Sequence, residues 1–162
     1  MTQSSDAPRR LVVIGGGYVG LEVAASARAL GAEAVIIERE PRILARVACD
    51  TLSSFFEARH REHGVQFILN AGVEHLIGKQ GRVTGVALAD GSVVVCDAVL
   101  IGVGAIPNDD LAQAAGLVCQ DGVVVDLGAR TSDPDIFAIG DVTRRPMPLY
   151  DDVRMRLESV PN

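Results

Sequence analysis

Residues 11–20 read LVVIGGGYVG. Four apolar residues without alternation predict a strand buried on both faces of a parallel sheet. Gly15, Gly17 and Gly20 then space a GxGxxG turn. Residues 18–30, YVGLEVAASARAL, predict a helix that Gly31 ends. The next apolar run, Ala34 to Glu38, closes on a carboxylate 18 residues beyond Gly20. A strand, a glycine turn, a helix and a second strand with a terminal acid form the fingerprint of a dinucleotide-binding α/β fold.

Each part of the fingerprint has a physical reason. Gly15 permits the tight turn out of the strand. Gly17 lacks a side chain, so a pyrophosphate can approach the backbone. Gly20 lets the helix pack closely on the strand. The helix N-terminus presents unpaired N–H groups and a partial positive charge to the phosphates, with Tyr18 and Val19 beside the glycines. A carboxylate at Glu38 is placed to accept hydrogen bonds from a ribose 2′- and 3′-hydroxyl pair. It would repel a 2′-phosphate, which favours NAD over NADP. Arg39 and Arg42 lie nearby as possible acceptors of that phosphate, so the preference stays open at this point. The competing reading of the glycines is helix–strand packing alone.

Working outward, Pro41 breaks the chain after the second strand, and Asp50 is a candidate N-cap for a helix over 51–63. Leu52, Phe55, Phe56 and Arg59/His60 fall at helical spacing there. Gly64 ends that helix, and Val65 to Leu69 is the third strand. Residues 73–78, 82–89 and 92–96 are short, rich in β-branched residues and separated by KQG and Asp90–Gly91, which predicts an antiparallel three-stranded meander. The apolar run Ala98 to Val103 returns the chain to the parallel sheet, and a short helix is predicted over 109–115. Gly122 to Val125 and Ile136 to Ile139 are further strand candidates. Residues from about 143 onward, rich in Pro and Arg, read as irregular.

Composition bounds the function. The 162 residues suffice for a real hydrophobic core, and a formal charge of −6 leaves no basic stripe for nucleic acid. No run approaches the length of a membrane span, and the polar residues 1–10 have no signal-peptide core, so they read as a disordered leader. Cys49, Cys96 and Cys119 are far apart and form no CxxC pair, which provides neither a metal site nor a local redox dithiol. Cys96, in VVVCDAV, reads as a buried thiol. A reducing cytoplasm fits this cysteine usage.

Three further stretches carry a family resemblance: VLIGVGAIPN at 99–108, TSDPDIFAIGD at 131–141 and RLESVPN at 156–162. In this order, after GGGYVGLE, they resemble the pyridine nucleotide-disulfide oxidoreductase superfamily of two-dinucleotide flavoproteins. PRILARV at 41–47 and the RLES ending are similar to the ferredoxin, rubredoxin and putidaredoxin reductase branch. The resemblance implies that NADH gives hydride to FAD, which passes electrons singly to a ferredoxin-type iron–sulfur protein. Carried over, Gly15, Gly17 and Gly20 hold the NAD pyrophosphate and Glu38 the adenosine ribose, with Arg39 adjacent. Glu22 matches a glutamate near the nicotinamide, and Gly102 and Gly104 the loop that approaches it. Asp141 matches the aspartate on the ribityl chain of FAD, and Glu158 lies near the flavin side.

The fold implied is α/β: a Rossmann-like parallel sheet with the meander inserted, plus a C-terminal segment of an incomplete FAD domain. The organisation expected is a leader at 1–10, an NAD(P)-binding domain at 11–115 and a partial FAD-domain return segment at 116–162. The family's first glycine motif, which would bind the ADP half of FAD, has no counterpart here. These residues alone are therefore expected to hold no FAD tightly and to be inactive. Exposed apolar segments after 117 make a homodimer an expectation as well. The alternatives are a non-catalytic NAD-binding module and part of a disulfide reductase or NADH oxidase.

Overall fold

The computed structural model describes residues 10–157, and these form two compact units that divide between Gly104 and Ala105. In the first unit, strands β1 (Arg10–Ile14), β2 (Glu33–Ile37), β3 (Val65–Ile68) and β7 (Ala98–Ile101) make a parallel sheet in the order β3-β2-β1-β7. Helix α1 (Tyr18–Ala29) connects β1 to β2, and α2 (Asp50–Glu62) connects β2 to β3. Between β3 and β7 the antiparallel strands β4 (Val73–Lys79), β5 (Arg82–Leu88) and β6 (Val93–Val95) form the expected meander as a separate sheet.

The absence of alternation in β1 and β2 is explained by their two covered faces. Leu11, Val13, Ala34 and Ile36 pack with Leu21 and Ala24 of α1 and with Ile43 and Leu44. Val12, Val35 and Ile37 pack on the other face with Val86, Leu88 and Cys96 of the meander region. Val12, Val13 and Ile36 are fully buried. Burying each such side chain stabilises the fold by about 1.5–3 kcal/mol. Cys96 is buried, as read, and burial pushes its thiol pKa up, with the neighbouring Asp97 charge adding to this.

Two readings are corrected here. Asp50 is the first residue of α2 and Cys49 its N-cap; the Asp50 carboxylate instead pairs with Arg42 at 2.9 Å. Of the α2 side chains only Ser53 is buried, while Leu52, Phe55 and Phe56 are exposed. Helical spacing was thus real, but the apolar stripe does not face this unit's core.

The second unit differs more. Ile136–Ile139 forms no strand. Thr131, Asp133 and Asp135 fold the segment into a turn in which Thr131 N–H donates to Ile136 O and Ile136 N–H donates to Asp133 O. Ala138 N–H donates to Ala129 O, and an isolated bridge joins Arg130 to Phe137. Residues beyond 143 are regular instead. Strand β9 (Thr143–Met147) pairs antiparallel with β10 (Val153–Arg156) through a 3-10 turn at Pro148–Tyr150, and parallel with β8 (Val123–Val124). Pro146 lies past the two-residue overlap with β8, where β9 has one neighbour only, which is why a proline is tolerated. A short helix α3 (Asp110–Ala114) precedes β8.

Gly20 sets the spacing of α1 on β1. A Cβ there would strike the Gly15 carbonyl oxygen and lie 3.2 Å from Val13 Cγ1. Backbone cannot rotate away, so Gly20→Ala is expected to cost about 2 kcal/mol of stability, read as a lowered urea midpoint with an unchanged slope.

Candidate dinucleotide site

The sheet order places a topological switch point between β1 and β7, because the chain leaves β1 toward β2 and returns on its other side. Ligands of open α/β sheets bind in the crevice outside the strand ends at such a point. The glycine turn lies there. Gly15 has φ +106°, and a Cβ on it would overlap the carbonyl of Gly102 at the end of β7. Gly102 N–H donates to Ile14 O at 2.8 Å, and Gly15 N–H donates to Ile37 O at 2.8 Å. Three strand ends are therefore joined through backbone at one place.

Gly17 is the N-cap of α1, with no side-chain cap and no acid in the first turn. A Cβ on Gly17 would meet nothing within 4 Å, so the space before the helix is open. Tyr18 and Val19 are exposed beside it. The first N–H groups of the helix have no intrahelical acceptors and face this opening with the positive end of the helix dipole.

Glu38 follows the last residue of β2 and is half-buried. Its Oε2 accepts the Gly16 N–H at 2.6 Å and its Oε1 accepts the Glu40 N–H at 2.9 Å. A carboxylate has about four acceptor positions, so roughly two remain for a ribose hydroxyl pair. Arg39 is exposed and its Nε lies 3.3 Å from Glu40 Oε1. Arg42, the other cation considered for a 2′-phosphate, is engaged instead by the loop that follows it: it donates to Ala45 O, Ala48 O and Ser53 Oγ.

The structure thus brings Gly15, Gly17, Tyr18, Val19, Gly20, Glu38, Arg39 and Gly102 to one end of the parallel sheet. Gly104, at φ +115°, follows β7, and Arg46 Nη2 lies 3.6 Å from where its Cβ would be. Glu22 sits on the exposed side of α1, one turn in. Asp141 belongs to the second unit, exposed in the turn after Gly140, where Thr143 donates from both N–H and Oγ1 to Gly140 O. Glu158 lies outside the described residues. The sequence reading missed Gly16 and Leu44. Leu44, at φ +54°, donates its N–H to Gly16 O at 2.9 Å, so Gly16 is held from both sides. No motif spacing marks this: PRILARV carries a chain break at Pro41 and a family resemblance, neither of which assigns it a contact with the glycine turn.

A glycine turn at the switch point with an acid at the end of β2 defines a dinucleotide-binding fold. The chain belongs to the pyridine nucleotide-disulphide oxidoreductase family, whose profile matches residues 2–159. It is 53% identical over 154 residues to the probable ferredoxin reductase CtmF of Castellaniella defragrans, covering 95% of this chain and 38% of that protein. It is 43% identical over 160 residues to the putidaredoxin reductase CamA of Pseudomonas putida, covering 96% of this chain and 37% of that protein. The crystal structure of the ferredoxin reductase for the CYP199A2 system from Rhodopseudomonas palustris superposes with a TM-score of 0.91 at 43% identity, covering 96% of this chain and 38% of that one. The chain therefore spans a little over a third of the length of the relatives it matches. Among the described residues no helix is long and apolar enough to cross a membrane, and no cluster of side chains is arranged for a metal.

Gly17 separates stability from ligand access. Gly17→Ala is expected to change folding free energy by less than about 1 kcal/mol, since its Cβ meets open space and the loss is of a cap preference only. If a dinucleotide pyrophosphate approaches through this opening, the methyl should nevertheless weaken the nucleotide by about tenfold. Thermal melts beside calorimetric titration of the same variant check both halves.

Proposed function

We propose that these residues are the NADH-binding portion of an FAD-dependent reductase that passes electrons from NADH, through flavin, to a ferredoxin-type iron–sulfur protein. The observation that carries the reading is the Glu38 carboxylate hydrogen-bonded to the glycine turn at the switch point of the sheet. NADH supplies the hydride when bound. Gly17 and the start of α1 take its pyrophosphate, and the free lone pairs of Glu38 take the adenosine ribose. Gly102 and Gly104 border the nicotinamide end, with Glu22 on the adjoining helix. Asp141 and Glu158 are assigned to the flavin side. The proposed domain division is NAD(P) binding over 11–115 and an FAD-domain segment over 116–162, after a leader at 1–10; the compact units divide earlier, between Gly104 and Ala105, and Arg10 already belongs to β1.

The ferredoxin-type acceptor is supported by the names of two relatives, a probable ferredoxin reductase and a putidaredoxin reductase. The NADH preference is supported by the charge of Glu38 and by the engagement of Arg42, which leaves Arg39 as the near cation facing solvent. The cytoplasm is the compartment that fits three free thiols.

Titration calorimetry with NADH, NADPH and FAD on one sample is the decisive measurement. NADH should bind in the micromolar to millimolar range, NADPH more weakly, and FAD without detectable heat. Absence of NADH binding at millimolar concentration, or a stoichiometric yellow flavin in the purified chain, would overturn the reading. Glu38→Ala should weaken NADH more than NADPH. Losing two ribose hydrogen bonds to a charged acceptor is worth about tenfold or more.

Self-association of the isolated chain belongs to the same proposal. Its support is that Ile106, Ile139 and Leu149 of the second unit are 91%, 79% and 92% exposed. Light scattering should show a mass that rises with protein concentration; a constant monomer mass would remove this part.

A further inference from the structure

The loop between β2 and α2 is built around one side chain. Arg42 donates three of its five N–H groups to its surroundings there and places its Nε in an ion pair. Nη1 donates to Ala48 O at 2.8 Å and to Ser53 Oγ at 2.7 Å, Nη2 donates to Ala45 O at 3.1 Å, and Nε pairs with Asp50 Oδ1 at 2.9 Å. Ser53, 1% exposed, passes its own hydroxyl hydrogen to Ile43 O at 2.7 Å. The two residues between Arg42 and Ala45 then meet the glycine turn. Leu44 N–H donates to Gly16 O, and Ile43 Cγ2 stands 3.0 Å from the position of a Gly16 Cβ. Gly16 N–H in turn fixes Glu38 Oε2.

A continuous chain of short contacts thus runs from the Arg42 guanidinium to the carboxylate proposed to hold the ribose. We propose that Arg42 is a positioning residue: it braces residues 41–50 so that they hold Gly16 and Glu38 in register, and it does not receive a ribose 2′-phosphate. This rests on the NADH-binding reading above and deepens it. A planar fork donating in several directions suits the task, and a lysine, with one point charge, reproduces only part of it. The assignment also decides specificity. A phosphate on the 2′-oxygen would have to withdraw Arg42 from three oxygen acceptors and Asp50, so of Arg39 and Arg42 it is Arg39 that remains to meet it.

The test uses Arg42→Ala, Arg42→Lys and Asp50→Asn. Dissociation constants for NADH and NADPH are measured where circular dichroism shows each variant folded, and amide hydrogen exchange is followed at Gly16 and Leu44. Arg42→Ala should weaken both nucleotides alike by about tenfold, the scale of losing one or two charge-assisted hydrogen bonds. It should speed exchange at both amides. Arg42→Lys should recover part of both effects. Asp50→Asn should leave affinity within about twofold, because its carboxylate is 89% exposed and such pairs contribute little.

Selective loss of NADPH in Arg42→Ala would show a phosphate acceptor and overturn the proposal. So would unchanged dissociation constants and unchanged exchange in a folded variant. If Arg42→Ala does not fold, Arg42→Lys gives the same two readouts. Should the unmutated chain fail to bind NADH, the functional reading falls, and hydrogen exchange at Gly16 still judges the brace by itself.

Discussion

The first unit depends on a place where two backbones touch. Gly15 leaves β1 at a positive φ and packs against the Gly102 carbonyl, while Gly20 packs against the Gly15 carbonyl. Any side chain at Gly15 or Gly20 would push β7 or α1 away from β1. The closeness has a functional consequence. It brings the ends of β1, β2 and β7 and the start of α1 within reach of one ligand, and it does so with backbone donors that need no rotamer ordering. Strands buried on both faces hold this geometry from below, since Val12 and Val13 face opposite layers and are both fully buried.

How much of this was legible in the sequence depends on the range of the interaction. Strands β1, β2, β3 and β7 and helix α1 were visible because their patterns are local: an apolar run, a glycine, a helical stretch. The meander was visible because Gly81 and Gly91 mark its turns, and both take positive φ. Glycine positions in the site were legible for the same reason. The Gly16 latch was not, because its partners come from two other segments: Glu38 accepts through its side-chain carboxylate, and Leu44 donates a backbone N–H that every residue but proline carries. The α2 face misled because helical spacing says which residues share a side, not which side is covered.

The second unit shows the limits of propensity. TRRPM has two arginines and a proline and still forms β9. Long-range ties explain it. Arg144 Nη1 lies 3.1 Å from Asp121 Oδ2, and Arg154 Nη1 donates to Val125 O at 2.9 Å. Arg156 lies near Asp121 and donates to Ala105 O. These arginines act as sheet cross-links, and the charge of Arg144 and Arg156 does not keep their side chains out of partly buried positions. Asp109, buried, accepts from Gln113 and from Gly122 N–H and so joins α3 to the start of β8. Conversely IFAIG, apolar enough for a strand, has its Ile136 N–H and C=O taken by the turn of Thr131 and Asp133, and its Ala138 N–H by Ala129 O. Tertiary pairing decides short strands where composition does not.

The double duty of Glu38 has a further physical meaning. In an idealised fingerprint the acid at the end of β2 faces only the ribose. Here it also satisfies the amides of Gly16 and Glu40. Removing it leaves two partly buried donors to find water, each at a cost of about 1–3 kcal/mol. A change of nucleotide preference by removing the charge at this position therefore disturbs the glycine turn that both nucleotides share. A substitute that keeps an acceptor but loses the charge, such as glutamine, preserves the turn better than alanine does. On the proposed reading, the same two oxygens that fix the Gly16 and Glu40 amides also meet the ribose, which would couple the choice of nucleotide to the stability of its site.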